Sequence, residues 1–461
     1  MSAPCPDSSG ATIAPVTTPG LSGTATVAEA FNAGDASIAE PADDDFDPKS
    51  VKRLPLSELA RRIGPGFILA GIQLGPGSLT TSAMLGAEYG YDLPWILLPV
   101  IFMGATFILA SYRLSMMTGM PTIAAVRKYY GSAAAFVGVI CFLSCMFFNI
   151  GNIAGIGAGM NLIFGIDWRL GAGIIWVLVM LIYFSRGVYD KIEKGVMAAL
   201  VFLTLAFLVA LVMGGGIDMA RTFTGLTTWQ FPEGSLITVL GFLGSSASVL
   251  AGMYGTYLGS EKRWNKRDFF NGVMTADAAT QVFGTVLISG LIILVGAVIV
   301  NPQGGTITTA SDLATLLVPV LGSWAGLVMG VALLAAAFAA IMGNTGRCVV
   351  FLNAGLNKAT SLDGKNVKIS AAALLVFALV VCMIFGGNPV QLVYFSNVAT
   401  SIATPVAGLF ITLMVFRKDL GGALRFPTSL KACMTVSYVC YAGLMAVALV
   451  QAVPKFLGSV M

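Results

Sequence analysis

The sequence predicts an all-α, multi-pass membrane protein of about eleven transmembrane helices. Ten of them are expected to form two inverted five-helix repeats, with helices 1 and 6 broken. Three observations predict this. The chain of 461 residues is 57% hydrophobic and 10% charged, with a mean hydropathy of +0.86, whereas soluble domains carry about 25% charged residues. Apolar runs long enough to cross a bilayer follow one another along it. Two small-residue interruptions also fall at matching places in the two halves. Continuous runs of this kind exclude a β-barrel, whose strands alternate over about ten residues.

Residues 1–48 stand apart. They hold eight acidic residues, no Lys or Arg, and many Ser, Thr, Ala, Gly and Pro. Such a segment buries too little apolar area to offset its ordering entropy and reads as a disordered, acidic cytoplasmic tail. It has neither the basic start nor the apolar run of a signal peptide. Spans are then expected near 63–86, 94–118, 133–162, 169–185 and 194–214, the first repeat occupying 49–214. The second repeat, 235–416, holds spans near 235–259, 271–300, 315–345, 369–386 and 391–416, and an additional helix covers 431–453.

Orientation follows from the basic residues. With the N-terminus inside, 23 of the 26 Lys and Arg fall on inner segments, leaving Arg169, Arg221 and Lys455 outside. The expectation is a plasma (inner) membrane protein with a cytoplasmic N-terminus and an external C-terminus. The seven cysteines are scattered through spans and tail and suggest neither a disulfide framework nor a metal site. The absence of histidine excludes Ser-His and Cys-His nucleophiles and His-ligated metals. No acid, base and nucleophile gather within the spans, so an enzyme is not expected.

The first span runs Gly64-Pro65-Gly66-Phe67 into Gly75-Pro76-Gly77-Ser78-Leu79-Thr80. Pro76 removes a backbone donor and its glycine neighbours permit unwinding. The sixth loses helix formers around Ala251, Gly252, Met253, Tyr254 and Gly255. Unwound backbone at that depth is tolerated only where it lines a cavity. Interrupted helices at corresponding positions of two inverted halves point to a transporter substrate site. A proline kink and a glycine packing face are the plainer reading of either cluster alone.

Several stretches resemble the NRAMP (natural resistance-associated macrophage protein) family of divalent-metal transporters. They are Gly64–Phe67, the Gly75–Ser78 break, Gly86-Ala87-Glu88-Tyr89-Gly90-Tyr91, Leu93-Pro94-Trp95-Ile96-Leu97-Leu98, Tyr257-Leu258-Gly259-Ser260 and 316–323. The resemblance implies a leucine-transporter-type fold, alternating access and, as the family's usual activity, proton-coupled uptake of Mn²⁺ or Fe²⁺. The departures fall on the family's ligands. Its first-helix Asp-Pro-Gly-Asn reads Gly75-Pro76-Gly77-Ser78 here. Its sixth-helix Met-Pro-His, aligned on Tyr257-Leu258, reads Gly252-Met253-Tyr254.

Without the carboxylate and the aligned thioether, the site offers carbonyls, Ser78 and Asn397. A hydrated, Mg²⁺-like cation suits it better than a stripped Mn²⁺ or Fe²⁺. The alternative is a small amino acid or other carboxylate. The half-helix starting at Gly77 aims free N–H groups at the cavity, and Tyr254, Thr256, Asn344, Thr345 and Asn397 offer polar contacts. A non-transporting receptor with a carrier fold is a further alternative. For coupling, the intramembrane carboxylates are Glu88, which reads more readily as an outer-interface residue beside Asp92, and Asp277, placed to pair with the basic loop 262–267. Asn149 and Asn152, one turn apart, read as interhelical glue or cavity lining, and Arg347 as an inner-end anchor. The expected partners are the lipid bilayer and a small transported solute or ion, with no nucleic acid and no cofactor.

Overall fold

The computed structural model describes residues 50–460, apart from 186, 309, 386–387 and 421–424. The tail at 1–48 and Arg186 therefore lie outside the described residues. Among those that are described, nine helices are long and apolar enough to cross a membrane. A tenth, Trp168–Phe184, is shorter, and the first span is delivered in two pieces, α1 (Pro65–Gln73) and α2 (Pro76–Tyr89). The remaining spans are built on α3 (Leu97–Thr118), α4 (Ala133–Phe164), α5 (Trp168–Phe184), α6 (Val188–Met213), α7 (Ser235–Ser246) with α8 (Val249–Glu261), α9 (Val273–Val295), α10 (Ala325–Gly355), α11 (Lys365–Ile384), α12 (Pro389–Thr400) with α13 (Ala403–Val415), and α14 (Thr428–Val460).

Burial separates centre from periphery. In the span formed by α7 and α8, 89% of the most apolar window is buried, against 33% for α11. The broken sixth span is thus the most buried of the nine long ones. On α5, Leu170, Ile174, Val177, Leu178, Leu181 and Phe184 are exposed while Gly171, Ala172, Val179 and Tyr183 are buried. So broad an apolar outer face is compatible with lipid rather than water. α10 packs extensively on α4. A Cβ added to Gly138 would stand 2.6 Å from the Gly355 Cα, and one on Gly159 would stand 2.8 Å from the Gly330 carbonyl oxygen. Early α4 meets late α10 and late α4 meets early α10, so the two run antiparallel with backbones touching at both ends. Small residues permit that approach.

Helix ends follow local chemistry. Gly119 and Gly165 close α3 and α4 with positive φ. Asp167 caps α5, accepting from the Arg169 N–H at 2.8 Å. Asn388 caps α12 ahead of Pro389. Between the fifth and sixth spans an additional helix, Met219–Thr228, folds over one end of the bundle. The segment after it is held by Trp95, whose ring stacks on Trp229 at 5.2 Å and meets Phe231 edge-on at 5.0 Å. The Trp95 indole also donates to the Gln230 carbonyl at 3.0 Å.

Three expectations are corrected. The break in the sixth span lies at Ala247 and Ser248, not at 251–255. Ser248 is extended and its hydroxyl accepts from the Leu250 N–H, starting a new half-helix. Gly252 and Gly255 are helical packing residues. A Cβ on Gly252 would meet the Phe107 carbonyl oxygen at 2.6 Å, and one on Gly255 the Tyr112 ring at 2.6 Å. Second, the tenth span is also interrupted, at Ser401–Ile402 between α12 and α13. Third, α6 begins at Val188 rather than 194 and α10 runs to Gly355 rather than 345. Polar residues limit the apolar run there, but not the helix.

Candidate functional site

The first break is simple in its backbone. Leu74 closes α1 by donating to the Ala70 carbonyl, Gly75 is extended, and Pro76 opens α2 at a position where no N–H is needed. At the second break Ala247 donates to the Leu243 carbonyl and Ser248 restarts the helix. The two breaks meet: the Ser78 and Ser246 hydroxyl oxygens are 3.4 Å apart and buried. Beside them lies a small cavity of about 10 Å³, room for one water molecule. It is lined by Ile72, Phe148, Gly244, Ser245, Ser248, Leu250, Arg347 and Thr400. The Ser248 hydroxyl shares a hydrogen bond of 2.8 Å with Thr404, which ties the sixth-span break to α13.

The four first-break candidates, Gly75, Pro76, Gly77 and Ser78, are brought together with Asn397. A Cβ on Gly77 would stand 2.7 Å from the Asn397 Oδ1. The Asn397 amide nitrogen donates to the Gly241 carbonyl at 2.9 Å, while its Oδ1 has no partner. The space beside Gly75 is occupied: a Cβ there would be 2.8 Å from the Ala340 Cβ, 3.0 Å from the Asn152 Oδ1 and 3.2 Å from the Phe148 ring. Asn152 is buried with both amide atoms unpartnered.

The sixth-span candidates sit elsewhere. Ala251, Gly252, Met253, Tyr254 and Gly255 belong to regular turns of α8 beyond the break. Tyr254 lines a second cavity of about 20 Å³ with Tyr257, Glu261 and Leu362. The Met253 carbonyl accepts from the Thr256 hydroxyl at 2.7 Å.

Asn149, Asn344 and Thr345 form one buried chain whose end is Arg347. Asn149 donates to the Thr345 hydroxyl at 3.0 Å. Asn344 donates to Asn149 Oδ1 at 2.8 Å and to the Cys145 carbonyl at 2.7 Å. Its own Oδ1 accepts from Arg347 Nε at 2.8 Å. Arg347 is 5% exposed, so it is a buried cavity residue and not an inner-end anchor.

Asp277 also departs from expectation. Rather than pairing with the 262–267 loop, it accepts from the Gly64 and Gly66 N–H groups at 3.0 and 2.8 Å and from the Tyr112 hydroxyl at 2.8 Å. It thereby caps the start of α1, as a carboxylate at a helix N-terminus should. Lys262 pairs with Glu193 at 3.0 Å instead, and Asp268 with Arg62 at 2.8 Å. Glu88 is half-buried ten residues beyond Ser78 on α2, about 15 Å along the axis. Among the described residues no group of three or more His, Cys, Asp or Glu side chains is placed to hold a metal ion.

The sequence reading missed Phe148, Ser245, Ser246, Ser248 and Thr400. The signal available for three of them was the run Ser245-Ser246-Ala247-Ser248, three hydroxyls in four residues inside an apolar helix.

The fold is shared with solved transporters. The manganese transporter of Eremococcus coleocola, solved as a variant, superposes with a TM-score of 0.71 at 15% identity, covering 89% of this chain and 92% of that one. MhsT, solved in complex with L-phenylalanine, superposes with a TM-score of 0.55 at 16% identity, covering 84% and 98%. In sequence, the divalent metal cation transporter MntH of Staphylococcus saprophyticus is 24% identical over 390 residues, 79% of this chain and 85% of that protein. A family model described as natural resistance-associated macrophage protein-like matches residues 66–451.

Helices broken in this way within a bundle of long apolar spans make the chain a multi-pass membrane protein that shares its fold with those solved structures. The chain belongs to the NRAMP family, whose curated relatives include the MntH metal transporters.

Proposed function

We propose that the protein moves its cargo by alternating access, binding it between the breaks of the first and sixth spans. The observation that carries this reading is the meeting of those breaks at Ser78 and Ser246 beside a small cavity. Gly75, Pro76, Gly77, Ser78 and Asn397 would form one wall, and Ser245, Ser248 and Thr400 the other. The two inverted repeats, 49–214 and 235–416, would rock around this point. The end holding Gly64 and Lys262 would face the cytoplasm of a plasma membrane, as the distribution of basic residues predicts.

Family membership brings a divalent metal cation as cargo. The cavity wall offers hydroxyls and the Arg347 guanidinium but no carboxylate, and desolvating even a monovalent ion into low dielectric costs on the order of 20 kcal/mol by idealised estimates, a dication more. A cation that keeps part of its coordination shell, as Mg²⁺ does, fits such a wall better than stripped Mn²⁺. Glu88 stands near the far end of α2 and Asp277, near the start of α9, caps the far end of α1, so neither is assigned a coupling role at the cavity.

Uptake into proteoliposomes tests the reading. Mg²⁺ and Mn²⁺ are offered free and together with a carboxylate. Saturable uptake that Ser248→Leu abolishes is expected, with Mg²⁺ favoured over Mn²⁺. If the folded, inserted protein gives no saturable uptake under any of these conditions, the transporter reading fails.

A further inference from the structure

Arg347 lies in a 31-residue apolar helix, is 5% exposed, and shares the cavity wall with Ser245, Ser248 and Thr400. Its Nε is fixed by Asn344, and its guanidinium carbon is 5.8 Å from the centroid of the Phe148 ring. Among the described residues no carboxylate oxygen lies within 4.0 Å of it. A buried charge is normally paired with an opposite one. Here Asn344 and Phe148 orient the guanidinium and neither neutralises it.

A second, independent observation concerns the first break. Asn152, 1% exposed, has neither amide atom partnered, and its Oδ1 lies 3.0 Å from where a Gly75 Cβ would stand. Buried amides are rarely left so. The 14-residue helix α2 starts at the same place, with Gly77 and Ser78 in its first turn and the positive end of its dipole at the break. A fixed cation and a helix N-terminus share one requirement, an anion that accepts hydrogen bonds, and the idle Asn152 amide can donate to that anion through Nδ2 while its Oδ1 accepts from a donor on the same species.

We infer that the species held between the breaks presents a carboxylate to Arg347. The inference rests on the transporter reading above and names the chemistry its site recognises. A guanidinium pairs with a carboxylate through paired, charge-assisted hydrogen bonds, whereas it repels an unaccompanied dication. The carboxylate can arrive as a free amino or organic acid, or as a ligand of the divalent cation that family membership suggests. In the second case it supplies part of the shell that the cation keeps.

Thermal melting of the purified full chain separates these sources. The probes are glycine, citrate, Mg²⁺ alone, Mn²⁺ alone, and citrate with equimolar Mg²⁺. At least one carboxylate probe is expected to raise the melting temperature of the wild type. Arg347→Gln is expected to weaken that apparent affinity about tenfold or more, and Arg347→Lys to retain part of it. Stabilisation by citrate only with Mg²⁺ present identifies the complex, and stabilisation by glycine or citrate alone identifies a free carboxylate. Should Arg347→Gln fail to fold, the wild-type and Arg347→Lys results still decide. Stabilisation by bare Mg²⁺ or Mn²⁺ with none by any carboxylate overturns the inference, as does no shift with any carboxylate probe. Both leave the transporter reading to the uptake assay, which fails on its own terms if no probe enters.

Discussion

Single residues at the two breaks determine what the site can hold. The resemblance puts Gly75 where the family carries its first-helix Asp, and the space such a side chain would need is taken by Ala340, Asn152 and Phe148. Gly75→Asp alone is therefore expected to lower the melting temperature rather than restore a metal site, since overpacking costs roughly 1–3 kcal/mol. Ala340→Gly in the same chain removes the nearest clash and should recover much of that loss, which melting curves of the single and double variants will show. Asp277 is a different kind of residue, the acceptor for two backbone N–H groups and a tyrosine hydroxyl. Asp277→Ala leaves Gly64, Gly66 and Tyr112 without it, and a loss of about 3 kcal/mol or more is expected. Melting temperature measures the effect, and Asp277→Asn, which keeps an acceptor, should lose less.

The helices show why some of this was legible in sequence and some was not. Lipid demands long apolar runs, so the spans could be read from hydropathy, although the eighth, expected at 315–345, lies at Ala325–Gly355. The break at Gly75–Ser78 was legible because proline and glycine together have few other uses in mid-span. The sixth-span break was misplaced because packing glycines and unwinding glycines look alike. Gly252 and Gly255 lie against Phe107 and Tyr112, while the actual break is made by a serine with no proline near it. Arg347 was misread for a related reason: the apolar run was ended at 345, ten residues before the helix ends at Gly355. Ser248 carries the element-scale prediction. Ser248→Ala removes the cap of α8 and a partner of Thr404, and should cost about 1 kcal/mol or more in unfolding measurements. A close contact gives another. Gly86→Ala would place a Cβ 2.0 Å from the Ile293 carbonyl oxygen, forcing α2 and α9 apart, and a drop in melting temperature is expected.

At the scale of the molecule, the two breaks bring buried polar residues from both halves of the chain together. One end is held by Asp277 and the Lys262–Glu193 and Arg62–Asp268 pairs. The other is covered by the Met219–Thr228 helix and the segment anchored on Trp95. Both ends must open in turn for a carrier to work, and never together. The most direct measurement places a cysteine at Ser245, on the cavity wall, in a chain whose seven native cysteines have been replaced. A membrane-impermeant thiol reagent is then applied from either face of the bilayer. Alternating access predicts that Ser245→Cys reacts from both faces, and that cargo conditions raising the rate from one face lower it from the other. Reaction from both faces at rates that rise together, or from neither under any condition, would contradict the account.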